Sequence, residues 1–162
     1  MAEPRRSAGQ DRSDVTGARI LVVEARFYDD IADALLKGAT AVLEEEGVAF
    51  ERVSVPGSLE IAPAIAMSLE ASEREGKPIE GAVALGCVIR GETLHFEIVS
   101  QESARALIEL SVRRGIPIGN GILTVENEEQ AIVRADPDQG DKGGHAVRAA
   151  LALFELREKY AP

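Results

Sequence analysis

One stretch limits what this chain can fold into: Ala82-Val83-Ala84-Leu85, continued by Cys87-Val88-Ile89. A short apolar run rich in β-branched residues and bounded by turn signals is a strand buried on both faces. Such a strand needs helices on each side of its sheet. The run breaks at Arg90-Gly91, passes through Glu92-Thr93-Leu94-His95 and hands over to a long helical pattern. His95 therefore falls between the carboxyl end of a buried strand and a helix start. In open α/β sheets ligands bind at that edge, and helix starts present free backbone N–H groups that suit anions. A lone histidine in such a place is more often structural than catalytic, so other residues must decide between the two.

The rest of the chain repeats the strand-then-helix pattern. Residues 19–24 form an apolar strand, and Asp29 or Asp30 is placed to cap the next helix. In that helix Ile31, Leu35, Ala39, Val42 and Leu43 recur at helical spacing, and Gly47 closes it. Residues 49–55 are the second strand, followed by the Pro56-Gly57-Ser58 turn. Residues 59–75 make a helix with Ile61, Ile65 and Leu69 on one face and Pro63 in its first turn. The third helix spans 98–114, with Ala104, Leu107, Ile108 and Val112 spaced for burial. Residues 116–124 are a fourth strand interrupted by Gly119 and Gly121, which implies a bulge or close approach by a ligand or another backbone. Asn127 caps a helix reaching about Ala135, 136–144 is a loop, and the last helix carries Val147, Ala150, Leu151, Phe154 and Leu156.

This alternation implies a three-layer αβα sandwich around a four-stranded parallel sheet with right-handed crossovers. Residues 18–160 form the one domain, and the polar residues 1–17 read as a disordered arm. The loops after the four strands then gather at one edge of the sheet, around His95.

Charge and cysteine content narrow the function classes. A net charge of −10 argues against nucleic acid, whose phosphates are bound by clustered Lys and Arg. Cys87 is the single cysteine and lies in the apolar strand, so it reads as a small buried hydrophobe. One Cys with two His, His95 and His145, builds no Cys/His metal cluster. No run is long enough to span a membrane and the first residues lack an apolar signal core, so the expected location is cytoplasmic.

The loops contribute Phe27, Glu60, Thr93, His95, Arg134 and Lys142. An aromatic face, an acid and a cluster of anion binders suit a flat heterocycle with a small phosphate ester. Neither GxGxxG nor GxxxxGK[ST] is present. Arg26-Phe27, VPGSLEIAPA at 55–64, LGCVIRGETLHF at 85–96, GILTVENEEQAIVRA at 121–135 and Asp141-Lys142-Gly143 resemble the 6,7-dimethyl-8-ribityllumazine synthase family. The resemblance runs from about residue 18 onward.

It implies a flavodoxin-like fold and the penultimate step of riboflavin synthesis. There, 5-amino-6-(D-ribitylamino)uracil condenses with 3,4-dihydroxy-2-butanone 4-phosphate, losing phosphate and water, with no metal or organic cofactor. The substrate amine is the nucleophile, so the protein supplies positioning and proton transfer. The resemblance makes His95 the proton shuttle and Phe27 the stacking partner of the pyrimidine ring. It gives Ser58, Leu59 and Glu60 the ribityl chain and ring edge, and Cys87, Val88 and Ile89 backbone hydrogen bonds to the ring. Glu92, Thr93 and Arg134 hold the phosphate, and Lys142 assists. Three positions depart from the commoner pattern: Tyr28 where Asn is frequent, Leu59 where Phe is frequent, and Asn120 where an aromatic usually closes over the substrate. The last two leave open a second reading, a lumazine- or flavin-binding or structural paralogue with little turnover.

The resemblance also implies a homopentamer. The Pro137-containing loop at 136–140 favours a free pentamer over an icosahedral shell. The Phe27, Glu60 and His95 side of each site would come from one subunit and the Asn120, Arg134 and Lys142 side from its neighbour. The Gly119-Asn120-Gly121 interruption suits close approach by something outside its own sheet.

Overall fold

A computed structural model describes residues 15–162. The four strands are β1 (Arg19–Ala25), β2 (Ala49–Val55), β3 (Gly81–Ile89) and β4 (Ile118–Val125). They form one parallel sheet in the order β2-β1-β3-β4. The helices are α1 (Asp29–Glu45), α2 (Ile61–Arg74), α3 (His95–Arg114), α4 (Glu128–Ala135) and α5 (Lys142–Lys159). A 3-10 turn at Ser58–Glu60 precedes α2. The expected sandwich is therefore present. The expected arm lies outside the described residues as far as residue 14, and Val15 already packs into the core.

Apart from Arg19 and Glu24 of β1, the central strands are apolar because side chains alternate between two covered faces. Ile20 and Val22 of β1 and Val83, Leu85 and Cys87 of β3 point towards α1, α4 and α5, meeting Leu35, Leu43, Val147 and Phe154. Leu21 and Val23, with Ala82 and Ala84, point the other way, onto Ile61, Ile65 and Leu69 of α2 and Leu107 of α3. Helix α1 buries Ile31, Leu35, Ala39, Val42 and Leu43, as its spacing requires.

Several local expectations need correction. Neither Asp29 nor Asp30 caps α1; Tyr28 is the N-cap residue, and the two aspartates occupy the first turn, where carboxylates favour the helix dipole. Helix α3 begins at His95 rather than 98, and Ile108 and Val112 face outward, 64% and 77% exposed. Its buried face is Val99, Ser103 and Leu107. Leu156 of α5 is likewise exposed. The interruption in β4 is not a bulge, since its register with β3 is continuous from Ile118 to Val125. Gly119 instead admits α5 of the same chain: a Cβ there would land on the Ala146 carbonyl. The close approach read from Gly119 is thus explained within one subunit. Asn127 does cap α4, its Oδ1 accepting from Gln130 N–H at 3.0 Å.

Candidate active site

All four strands run the same way, so their carboxyl ends and following loops share one edge. That edge gathers Phe27, the Ser58–Glu60 turn, Ile89 and the 90–95 segment.

Phe27 follows β1 and is 72% exposed. Its ring meets Tyr28 edge-on, centroids 5.1 Å apart at 67°. Tyr28 is half-buried against the core, and that burial raises its phenol pKa. Beyond β2, Ser58 is buried while Leu59 and Glu60 are exposed. A Cβ on Gly86 of β3 would come within 2.9 Å of Ser58 Oγ, so this turn rests directly on the central strand.

Cys87 and Val88 are buried in β3, paired with Leu123 and Thr124 of β4. Burial, with a smaller contribution from Asp30, pushes the Cys87 thiol up to about 12. It stays protonated at neutral pH and is no nucleophile.

Past Ile89, Arg90 staples the start of α3. Its N–H donates to Val125 O at 2.9 Å, extending the ladder by one residue. Its guanidinium pairs with Glu97 and, at 2.6 Å, with Glu126, and sits 4.3 Å over the Phe96 ring. The Arg90 hydrogen bond holds Glu97 below the usual carboxylate range. Glu92, Thr93 and His95 are exposed on this stapled segment. Thr93 Oγ1 accepts from His95 N–H at 3.4 Å, and the first helical bond runs from Ile98 N–H to Leu94 O at 3.2 Å. The Phe96 N–H precedes that bond and is left to an anion by the helix, whereas the Glu97 N–H is engaged by its own carboxylate.

The remaining expected residues lie apart from this edge cluster. Asn120 is on the α3 side of β4, lining a groove of about 520 Å³ with Phe96, Ser100 and Thr124. Its Oδ1 accepts from Ile122 N–H at 2.9 Å. Arg134 is exposed on α4, whose buried Ala131 and Ala135 belong to the opposite core, and it donates to Gln130 O at 3.0 Å. Lys142 opens α5 after Asp141, which adopts a left-handed conformation (φ 45°) and accepts from Gly144 N–H at 3.2 Å. Within one chain, then, Phe27, Ser58, Leu59, Glu60, Glu92, Thr93 and His95 come together. Asn120, Arg134 and Lys142 do not join them.

Sequence reasoning missed a charged cluster beside Phe27. Glu24, at the end of β1, is 1% exposed. Its Oε1 accepts from Arg52 Nε at 2.7 Å and Ser54 Oγ at 2.9 Å, and its Oε2 from Arg26 Nη1 at 3.1 Å. Arg26 also donates to Asp29 at 3.2 Å and Asp33 at 2.5 Å on α1. The signal was a carboxylate inside an apolar strand with an arginine two residues on, hence on the same face.

The profile of the 6,7-dimethyl-8-ribityllumazine synthase family matches residues 17–158. Proteins named 6,7-dimethyl-8-ribityllumazine synthase from Afipia carboxidovorans and Methylocella silvestris are 58% and 59% identical, the first over 99% of both chains, the second over 98% of this chain and 97% of its own. One from Agrobacterium fabrum is 59% identical over 86% of this chain and 95% of its own. With its parallel sheet and the residues clustered at the carboxyl edge, the chain belongs to the 6,7-dimethyl-8-ribityllumazine synthase family.

Proposed function

We propose that the protein condenses 5-amino-6-(D-ribitylamino)uracil with 3,4-dihydroxy-2-butanone 4-phosphate, as family membership implies, and that the edge cluster is one half of the site. The observation that carries this is the arrangement around α3. An exposed histidine stands at the first helical position, two residues after a threonine hydroxyl, on a segment stapled by Arg90. The Cys87 thiol behind it stays protonated, which fits chemistry in which the substrate amine is the nucleophile.

Each side chain then has a task. Phe27 offers a free ring face for the pyrimidine. The Ser58–Glu60 turn and the end of β3, including Cys87, Val88 and Ile89, meet the ring edge and ribityl chain through backbone groups, with Leu59 adding apolar contact. Glu92 contributes its backbone, since its carboxylate would repel an anion, and Thr93 contributes its hydroxyl. With the backbone N–H of Phe96 at the start of α3 these form half a phosphate cradle. Arg134 of a neighbouring subunit supplies the guanidinium that completes it, accompanied by Lys142 and Asn120. His95 passes protons during imine formation and loss of phosphate.

A ring of subunits supports this division, because the separation of the two residue groups within one chain calls for a second copy. The outward Ile98, Ile108 and Val112 of α3 give such a copy apolar surface to cover. Five copies, free rather than in a shell, and a cytoplasmic setting belong to this reading.

Purified protein mixed with both substrates is expected to produce the lumazine chromophore and one inorganic phosphate per turnover. Neither product rising above the uncatalysed background would overturn the assignment. Tight capture of a yellow ligand without turnover would favour the binding paralogue.

A further inference from the structure

Glu24 is a carboxylate with almost no exposure, and a buried carboxylate is tolerated only when its oxygens are fully engaged. Here the partners come from two strands: Arg52 and Ser54 from β2, and Arg26 from the residues just past β1. Arg26 is the unusual member. Its backbone N–H continues the ladder to Val55 O at 3.4 Å. Its guanidinium then turns back to Glu24 and reaches on to Asp29 and Asp33 of α1. One rigid fork thereby ties the end of β1 to the first turns of α1, across the short connection that holds Phe27 and Tyr28.

Those two residues differ in how they are held. Tyr28 is anchored by packing against the core. Phe27 is 72% exposed, its ring edge-on to that of Tyr28. Burial therefore does not set the direction of its ring; the backbone on either side does. A helix start alone needs no such cluster, since one capping side chain suffices.

The geometry points to Arg26, held by Glu24, as a positioning residue that pre-orients the Phe27 ring for the flat heterocycle of the substrate. This rests on the reading of Phe27 as the stacking residue. Fixing a recognition group before the ligand arrives lowers the ordering cost of binding. Loss of the clamp thus weakens binding of the heterocyclic substrate and leaves the chemical step alone.

Steady-state kinetics on Phe27→Ala, Arg26→Met, Arg26→Lys and the double variant Arg26→Met/Phe27→Ala test this, with ketone phosphate saturating. Phe27→Ala is expected to raise KM for the pyrimidine substrate about tenfold, and Arg26→Met about three- to tenfold with kcat within about twofold. Arg26→Lys keeps the charge but not the fork, so it retains most of the defect. The deciding comparison is the cycle: once Phe27 is Ala, Arg26→Met should change KM by less than about 1.5-fold. If Arg26→Met does not assemble, Asp33→Asn cuts only the outer, 69% exposed tie and should raise KM about twofold. An Arg26 effect that persists in full without the Phe27 ring, or that falls on kcat, overturns the proposal and leaves the stacking role standing. An unchanged KM in Phe27→Ala overturns the stacking role and the proposal together.

Discussion

The Ser58–Glu60 turn lies on β3 so closely that one methyl group should disturb it. In Gly86→Ala the new Cβ would sit 2.9 Å from Ser58 Oγ, 3.4 Å from Ile61 Cδ1 and 3.6 Å from Ala25 Cβ. The last two are ordinary contacts. The first is short by about half an ångström, and Ser58, buried at 7% exposure, has little room to retreat. Overpacking of this kind costs about 1–3 kcal/mol, against which alanine's stiffer unfolded chain returns about 0.4–1 kcal/mol. The net loss is about 1–2 kcal/mol, a fall in Tm of about 2–4 °C for each kcal/mol in a chain of this size. Moving the turn also displaces Leu59 and Glu60, so KM for the pyrimidine substrate should rise a few-fold. Scanning calorimetry at fixed protein concentration measures the stability change, with Gly17→Ala, whose added Cβ meets nothing within 4 Å, as the control. The reasoning names one oxygen as the obstacle. In a Ser58→Ala background, Gly86→Ala should therefore cost less than about 0.5 kcal/mol. An equal loss in both backgrounds would refute it.

His95→Ala should slow turnover by about 10²-fold, the low end for positioned proton transfer because the substrate amine is itself reactive, while pyrimidine affinity holds; rates and ligand titration from pH 6 to 8 check this. Arg134→Ala should raise KM for the ketone phosphate by about tenfold or more and spare the pyrimidine, as loss of a charged hydrogen bond of about 1.5–3 kcal/mol requires; initial-rate kinetics in each substrate separate the two. Burial raises the Cys87 pKa to about 12, above its unfolded value. Its contribution to stability is therefore present below the unfolded pKa and is lost as pH climbs towards 12. At pH 8 the folded protein should resist iodoacetamide and the unfolded protein should label quickly, as mass spectrometry would show.

The sheet was legible because β1 and β3 are apolar on both faces, and no other arrangement covers Ile20 and Leu21, or Val83 and Ala84, at once. The start of α3 was not. Leu94, Ile98, Ile108 and Val112 are apolar yet exposed in the chain, and spacing records that a residue wants cover without saying what covers it. Leu107 was read correctly as core, but reading Ile108 and Val112 as core rotated the inferred buried face away from Val99 and Ser103. Gly119 was legible as a close approach, but the sequence could not say whose backbone approached; Ala146 answers that. The edge cluster around His95 followed from strand direction alone. Glu24 did not: the sequence showed only a carboxylate in an apolar strand with Arg26 two residues on, and the convergence of Arg52 and Ser54 on it depends on how β2 pairs with β1.

The central claim is that each site is completed by a neighbouring subunit, and mixed rings test it most directly. His95→Ala and Arg134→Ala are prepared separately, each weakly active at limiting ketone phosphate, then unfolded and refolded together. In a head-to-tail ring at equal proportions, about a quarter of the sites pair an intact His95 with an intact Arg134. Activity should climb towards about a quarter of the unsubstituted enzyme's, well above the mean of the two parents. Mixed rings that form, as native mass spectrometry would show, and yet give no gain would place both residues in one chain's site and contradict the account.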